Sequence, residues 1–173
     1  MDPVLVDDYV ASVVTALPRP ARPPRVALTP VHGVGGDLCR RVLAGIGVLD
    51  VTLVAEQADP DPDFPTVASP NPERPGTTAR LLELAARIDA DVAIALDPDA
   101  DRCAVGFADP DGRWRMLDGD ETGAVLADHL LRARFRGRPR ATSSVCRSSH
   151  RRSSPRGCRR CWSRRAAVGT WRR

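Results

Sequence analysis

Short apolar runs alternate with helical segments across the first part of this chain, and this alternation constrains the fold more than any other feature. RVALTP at 25–30, DVTLVAEQ at 50–57 and VAIAL at 92–96 have the length and residue types of strands, and the wholly apolar run at 92–96 is typical of a buried one. Between them, DLCRRVLAGIG at 37–47 and TTARLLELAARIDA at 77–90 have helical periodicity. The pattern predicts an α/β fold, a three-layer α/β/α domain with a mixed, mostly parallel sheet.

Further elements flank this core. The segment 4–17 has helical spacing, and PRPARPP at 18–24 reads as a linker because proline cannot continue a helix. The runs CAVGF and RWRML flank an Asp-Gly turn and predict a hairpin. The segment 119–135 predicts a helix with acids first and arginines last, which suits the helix dipole. The predicted units are the entry helix and linker, the α/β/α domain, the first helix of a further domain and a basic tail: 1–24, 25–117, 118–135 and 136–173.

Charge divides the chain sharply at residue 135. The first 135 residues carry 13 arginines against 22 acidic residues, a net charge of −9. Residues 136–173 carry 13 arginines and no acidic residue, a net charge of +13. Hydrophobic periodicity also stops there, so this segment is predicted to be a disordered or out-of-frame tail.

No feature of the sequence indicates a membrane or an oxidising compartment. The start lacks the pattern of a signal peptide, and no apolar run is long enough to span a bilayer. The five cysteines are odd in number and imply no disulfide framework, so a cytoplasmic location is expected. The tail arginines predict non-specific attraction to nucleic acid and no specific nucleic-acid partner. The oligomeric state is left open.

Three aspartates follow the run at 92–96 within five residues. Asp97, Asp99 and Asp101 alternate, so an extended backbone would aim all three carboxylates to one side. Oxygen ligands of this charge suit Mg²⁺ better than Zn²⁺. Arg102 beside them cannot bind a metal, but its guanidinium can pair with a phosphate oxygen. Such a group is typical of phosphoryl-transfer sites.

A solvated acidic turn is the alternative reading of this loop. ADPDPDF at 58–64 and ADPDG at 108–112 use the same residue types but follow no buried strand, and both are predicted to be surface loops. An EF-hand is excluded, because Arg102 takes the place of its glycine and Ala108 that of its glutamate. From the spacing alone, a metal site and a solvated turn both stay open.

His32 is a weaker candidate for function. His32 lies in the glycine turn HGVGG at 32–36, where an active-site role competes with a simple hydrogen bond within the turn; the second is favoured. This turn does not match a dinucleotide-binding fingerprint. Cys103, beside the acidic loop, is expected to be a small buried residue.

Four stretches together resemble the α-D-phosphohexomutases, the phosphomannomutase and phosphoglucomutase family. They are TPVHGVGG at 29–36, FPTVASPNPERPG at 64–76, DPDADR at 97–102 and WRMLDGDETGAVLADHLL at 114–131, in the family's order and spacing. The resemblance covers about residues 1–135. The resemblance implies a four-domain enzyme in which a phosphoserine donates its phosphoryl group to a hexose phosphate. It implies Mg²⁺ bound by Asp97, Asp99 and Asp101, with Arg102 contacting phosphate or steadying the loop.

The sequence also departs from the family pattern. It contains no Ser-His-Asn-Pro phosphoserine loop and no Gly-Glu-x-Ser-Gly sugar loop. No catalytic residue is therefore assigned, and this chain alone is expected to be an inactive fragment carrying mainly the family's second domain. In these enzymes an apolar strand follows the helix that corresponds to 119–135. Here a segment rich in arginine, serine, proline and cysteine follows it, which suggests a shifted reading frame.

The alternatives concern both substrate and class. Within the family, the resemblance allows a phosphoglucomutase or a phosphopentomutase in place of a phosphomannomutase. From another class, the chain would be a non-catalytic metal- or nucleic-acid-binding protein that uses its basic tail. A metal-dependent phosphatase with an aspartyl nucleophile is disfavoured, since the chain has no lysine.

Overall fold

The computed structural model describes residues 3–74 and 76–135 of the chain. The predictions made for 136–173 lie outside the described residues. The elements are α1 (Pro3–Ala16), β1 (Val26–Thr29), α2 (Gly36–Gly45), β2 (Val51–Leu53), a 3-10 turn (Ala55–Gln57), α3 (Ala79–Arg87), β3 (Val92–Leu96), β4 (Cys103–Ala108), β5 (Trp114–Met116) and α4 (Gly119–Phe135).

The five strands form one mixed sheet in the order β2-β1-β3-β4-β5. The half formed by β2, β1 and β3 is parallel, whereas β3, β4 and β5 pair antiparallel. The antiparallel half contains the predicted hairpin, whose turn uses Gly112 at a φ of +80°. The predicted α/β class and mixed sheet are therefore confirmed, with the parallel pairs confined to one side of β3.

Helices cover both faces of the sheet, which gives the predicted three layers. On one face, the core of Val26, Leu28 and Leu96 packs against side chains of α2. On the other, Leu81 and Leu84 of α3 join a core of small side chains that includes Ala27, Ala93 and Ala95. Alternate residues of β1 and β3 thus face opposite layers, as the pleat of a strand requires.

The strand expected over 50–57 is shorter than predicted. It ends at Leu53, and the chain then turns through Ala55–Gln57. This turn buries the Gln57 side chain, whose carbonyl oxygen accepts a 2.7 Å hydrogen bond from the Thr29 hydroxyl. The polar side chain has a partner inside the fold, which compensates for its burial.

The two outer helices are more exposed than α2 and α3. Helix α1 packs on α2, where Gly45 lies against Val14. Helix α4 leaves several large apolar side chains in solvent, among them Leu126 and Leu130. Among the helices of the described ranges, none combines the length and apolar character needed to cross a membrane.

The parallel pairing of β1 with β3 sets the position of the acidic loop. Thr29 pairs with Ala95 near the carboxyl ends of the two strands. The turn at 30–36 and the loop at 97–102 leave the sheet at this shared edge. In open α/β sheets, ligands bind beyond the carboxyl ends of strands. The two segments that carry the sequence motifs are therefore neighbours.

Candidate metal centre

Three carboxylates converge in the loop that follows β3. Oxygen atoms of Asp97, Asp99 and Asp101 all lie within 4.8 Å of one another. Asp97 is buried, whereas Asp99 and Asp101 are exposed. The structure therefore brings together the three aspartates that the sequence singled out.

A turn, and not the expected extended backbone, produces this convergence. The amide of Ala100 donates to the carbonyl of Asp97 at 3.0 Å, and Ala100 has a φ of +59°. In an extended strand, the backbones of Asp97 and Asp101 would be about 13 Å apart at ~3.3 Å per residue. The extended geometry predicted from the alternation is wrong, because only a reversal of the chain brings the first and last carboxylates together.

Asp97 is fixed by the residue that closes the loop. Its Oδ1 accepts from the backbone amide of Arg102 at 3.1 Å, and its Oδ2 accepts from Arg102 Nε at 2.8 Å. The Asp97 amide in turn donates to the Arg102 carbonyl at 3.2 Å. Arg102 Nε also lies 3.5 Å from a carboxylate oxygen of Asp101. In this structure Arg102 steadies the loop.

The electrostatics of the loop differ from one aspartate to the next. Burial on its own would raise the pKa of Asp97, but hydrogen bonds from Arg102 and Asp101 and the Arg102 charge lower it overall. The pKa of Asp101 is raised, because its carboxyl group bonds to that of Asp97 and lies in the field of Asp97 and Asp99. Crowded carboxylates of this kind favour a cation among them.

The residues present fit a hard divalent cation. All three donors are carboxylate oxygens, which Mg²⁺ and Ca²⁺ prefer. The carboxylate oxygens lie within 4.8 Å of one another, and the exposed side chains of Asp99 and Asp101 are free to close further around such an ion.

The glycine turn packs directly on this loop. The Val34 amide donates to the Pro98 carbonyl at 2.9 Å. Gly33 faces the backbone of Pro98, and Gly35 faces Ala100. The two segments that leave the sheet at this edge are thus in contact.

His32 is buried at the same edge, but its bond differs from the prediction. Its ring Nε2 lies 2.9 Å from the hydroxyl of Thr66, which belongs to the 58–76 loop and not to the glycine turn. Thr66 also accepts from the Gln57 side chain at 2.9 Å. The hydrogen bond expected within the turn is therefore wrong for the ring, because the fold brings the Thr66 hydroxyl within reach of it.

The sequence reading did not single out Thr29, Gln57 and Thr66, which hold His32 and its turn. They are ordinary polar residues near the ends of apolar runs, and nothing in their spacing marks them. Their proximity depends on the crossover from β1 to β2. The one available signal is the position of Thr29 at the end of a strand beside the glycine turn.

The two other acidic loops, at 58–64 and 108–112, form ordinary turns. Asp61 accepts from the amide of Asp63, and Asp109 accepts from that of Asp111, each at 2.9 Å. Within the described ranges, neither loop brings three metal-binding side chains together.

Cys103 is exposed, so its expected burial is wrong. It begins β4 beside the loop, and the buried residues of that strand come after it.

Comparison with known families gives a match across this region. A family model described as phosphoglucomutase/phosphomannomutase, alpha/beta/alpha domain II, matches residues 7–112. The probable phosphomannomutase of Haemophilus influenzae is 37% identical over 128 residues, which cover 74% of this chain and 26% of that protein. The phosphoribomutase of Saccharomyces cerevisiae is 42% identical over 109 residues, covering 60% of this chain and 18% of that protein.

A solved structure supports the same relationship. The crystal structure of a phosphoglucomutase/phosphomannomutase family protein from Burkholderia thailandensis aligns with a TM-score of 0.61 and 26% identity. The alignment covers 75% of this chain and 26% of that one. This chain therefore spans about a quarter or less of the length of the relatives it matches.

Proposed function

The chain belongs to the phosphoglucomutase/phosphomannomutase family, and from that membership we propose that its acidic loop binds Mg²⁺ for phosphoryl transfer between the 6- and 1-positions of a hexose phosphate. The observation that carries the proposal is the convergence of Asp97, Asp99 and Asp101 at the end of β3. These three side chains are the proposed metal ligands. The proposed substrate of the full-length enzyme is a sugar phosphate, and mannose phosphate is the preferred candidate.

The loop divides the work among its residues. Asp97 is the fixed ligand, because two hydrogen bonds from Arg102 set its orientation. Asp99 and Asp101 are exposed and would supply the other two carboxylate ligands. A divalent cation placed here neutralises charge on phosphate oxygens. Arg102 is half exposed and adds a second positive group beside the same anion.

Two loops that the family uses for catalysis are missing from this sequence. The sequence carries neither the phosphoserine loop nor the sugar loop of the family. We therefore infer that this chain does not interconvert sugar phosphates by itself. The relatives differ in their named reactions, which keeps phosphoglucomutase and phosphopentomutase as alternatives. We also propose a cytoplasmic location, since the five cysteines imply no disulfide framework.

Calorimetric titration of the full chain with MgCl₂ and MnCl₂ tests the metal site. We expect binding of one ion per chain, and at least a tenfold loss of affinity in Asp99→Asn and Asp101→Asn. Asp61→Asn is the matched control, since it removes one negative charge from the similar loop at 58–64 but keeps an oxygen that can accept from Asp63. Equal binding by all four proteins would contradict the proposal.

DNA binding separates the mutase fragment from the alternative of a nucleic-acid-binding protein. For a mutase fragment, we expect only non-specific binding through the arginines of 136–173: the logarithm of the binding constant falls linearly with the logarithm of the salt concentration, and the DNA sequence has no effect. Fluorescence anisotropy with two unrelated duplexes at several salt concentrations measures this. Sequence-selective binding that persists at physiological salt would favour a nucleic-acid-binding protein over a mutase fragment.

A further inference from the structure

Two glycines of the turn at 32–36 approach the acidic loop too closely for any side chain. A Cβ added to Gly33 would lie 2.5 Å from both the Cα and the carbonyl oxygen of Pro98, and 2.8 Å from the carbonyl oxygen of Pro30. A Cβ added to Gly35 would lie 2.5 Å from the Cβ of Ala100. The first collision is with backbone atoms, which cannot rotate away.

The loop needs such support because its own backbone is strained. Ala100 lies in the left-handed region at a φ of +59°, which residues with a side chain rarely adopt. Conformations of this kind persist where the surroundings determine them. The surroundings here are the Val34 amide, which donates to the Pro98 carbonyl, and the flat surface offered by Gly35 below Ala100.

The turn is itself held from its far side. The His32 amide donates to the Gln57 carbonyl at 3.0 Å, and the Val31 amide donates to the Thr29 hydroxyl at 3.1 Å. Thr29 and Gln57 are fully buried. The turn is therefore a rigid support between a buried polar cluster and the loop.

We propose that Gly33 and Gly35 are positioning residues for the candidate metal centre: their missing side chains let the turn press on Pro98 and Ala100 and hold the loop in the shape that gathers Asp97, Asp99 and Asp101. The metal readout of this proposal rests on the proposed function. Neither glycine touches the ion or the substrate. Each acts through the shape of the loop.

A double-mutant cycle between the turn and the loop tests the contact. Gly35→Ala should lower the Mn²⁺ affinity of the full chain by about tenfold or more, the usual effect of disturbing the support of a metal ligand. In an Ala100→Gly background the colliding Cβ is gone, so the same change should lower the affinity less than about threefold. The electron paramagnetic resonance signal of free Mn²⁺ measures both affinities. An equal loss in the two backgrounds would overturn the proposal.

A second pair of variants separates positioning from loss of stability. Gly33→Ala collides with the Pro98 backbone, and Gly106→Ala collides with the Arg115 carbonyl at 2.9 Å in the β4–β5 hairpin. Both should lower the melting temperature. Only Gly33→Ala should speed hydrogen exchange at the amides of Ala100 and Arg102, which bond to Asp97.

Hydrogen exchange needs no metal, so it distinguishes the two hypotheses. If the wild-type chain fails to bind Mn²⁺, the proposed function is wrong, and the exchange rates still decide the role of the glycines. Unchanged exchange in folded Gly33→Ala, or equal changes in both variants, would overturn the positioning role. If Gly33→Ala does not fold, exchange in Gly35→Ala with and without Ala100→Gly gives the same decision.

Discussion

The aspartates of the acidic loop have the same chemistry but different surroundings. Asp97 is buried and accepts two hydrogen bonds from Arg102, so its ionised form is favoured even without a metal. Asp101 is exposed, and its pKa is raised by the neighbouring carboxylates. Asp97 therefore contributes to folding as well as to any metal binding, whereas the Asp101 charge is repelled by its neighbouring carboxylates and only partly offset by Arg102, so a bound cation would favour it.

This difference predicts that substitutions of Asp97 and Asp101 have different effects on the stability of the metal-free protein. Asp97→Asn should lower the free energy of unfolding by about 1–2 kcal/mol, since it weakens a charge-assisted hydrogen bond with the half-exposed Arg102. Asp101→Asn should leave the metal-free stability unchanged or slightly higher. Urea denaturation in the presence of EDTA measures both, and both variants should bind Mn²⁺ more weakly. Equal metal-free stability of the two variants would contradict the assignment of Asp97 as the fixed ligand.

The residue types and their position could be predicted from the sequence, but their geometry could not. Asp97, Asp99 and Asp101 were placed at the end of a buried strand, which the structure shows. Their convergence depends on a positive φ at Ala100, which the sequence gives no reason to expect. The exposure of Cys103 depends on where β4 begins. The first depends on a glycine turn distant in the chain, which packs on Ala100. The second depends on the register between β3 and β4, which pairs Cys103 with Leu96.

At the scale of elements, α3 and α4 represent two kinds of helix. Leu81 of α3 is fully buried against the sheet, whereas Leu126 of α4 is 57% exposed. Helical periodicity places apolar residues on one face in α3 and predicts its burial. In α4 the apolar residues are less clearly confined to one face, and the same residue type remains in solvent.

Truncation of each leucine should have very different effects on stability. Leu81→Ala should lower the free energy of unfolding by about 2–5 kcal/mol, because it leaves a cavity next to Ala27 and Ala93. Leu126→Ala should change it by less than about 0.5 kcal/mol. Urea denaturation of both variants gives the comparison. A large loss in Leu126→Ala would show that the α4 surface is covered in the folded protein.

Helix α4 begins with a capping box that also joins it to β5. The amide of Glu121 donates to Asp118 Oδ1 at 2.7 Å, and the amide of Asp118 donates to Glu121 Oε2 at 3.1 Å. The Arg115 guanidinium of β5 donates to both carboxylate oxygens of Glu121, at 2.7 and 2.9 Å. The Asp-x-x-Glu pattern at 118–121 is a signal for the box. The pairing with Arg115 is not visible in the sequence, since it requires the hairpin to return β5 to this helix.

The capping box predicts a pH dependence with a defined direction. The Arg115 hydrogen bonds and the Asp118 amide lower the pKa of Glu121 below its ordinary value of 4.5. The stabilisation by ionised Glu121 is therefore complete above pH 4.5 and is lost as the pH falls through the lower folded-state pKa.

Thermal unfolding of wild type and Glu121→Gln at several pH values measures this effect. The wild-type protein should melt at the higher temperature at pH 7, and the gap should shrink toward pH 3. Asp128→Asn is the matched control, because Asp128 pairs with Arg132 on the exposed side of the same helix. A gap that is constant with pH would rule out the role assigned to the Glu121 charge.

At the scale of the whole molecule, the chain has two segments of different amino-acid composition, which meet after residue 135. The family match ends at residue 112, and the predicted mutase-like pattern continues through α4. From 136 onward the sequence has 13 arginines and no acidic residue, and the chain covers only 26% of its Haemophilus influenzae relative. The chain has no lysine and its cations are all arginine, which fits a GC-rich coding sequence. In such a gene, a shifted reading frame tends to yield arginine, serine, proline and cysteine. The change of composition is abrupt, which a gradual drift of surface residues does not produce.

We therefore predict that the DNA after codon 135 encodes a mutase-like continuation in another frame. Translation of the two alternative frames should give, directly after the α4 segment, an apolar strand followed by further strand–helix alternation. Chains read in that frame should also regain the Gly-Glu-x-Ser-Gly sugar loop that this sequence lacks. The measurement is resequencing of the gene across this junction and on both sides of it. If neither frame continues with an apolar strand, the arginine-rich segment is a genuine part of the product, and the salt dependence of its binding to DNA becomes the test of what it adds.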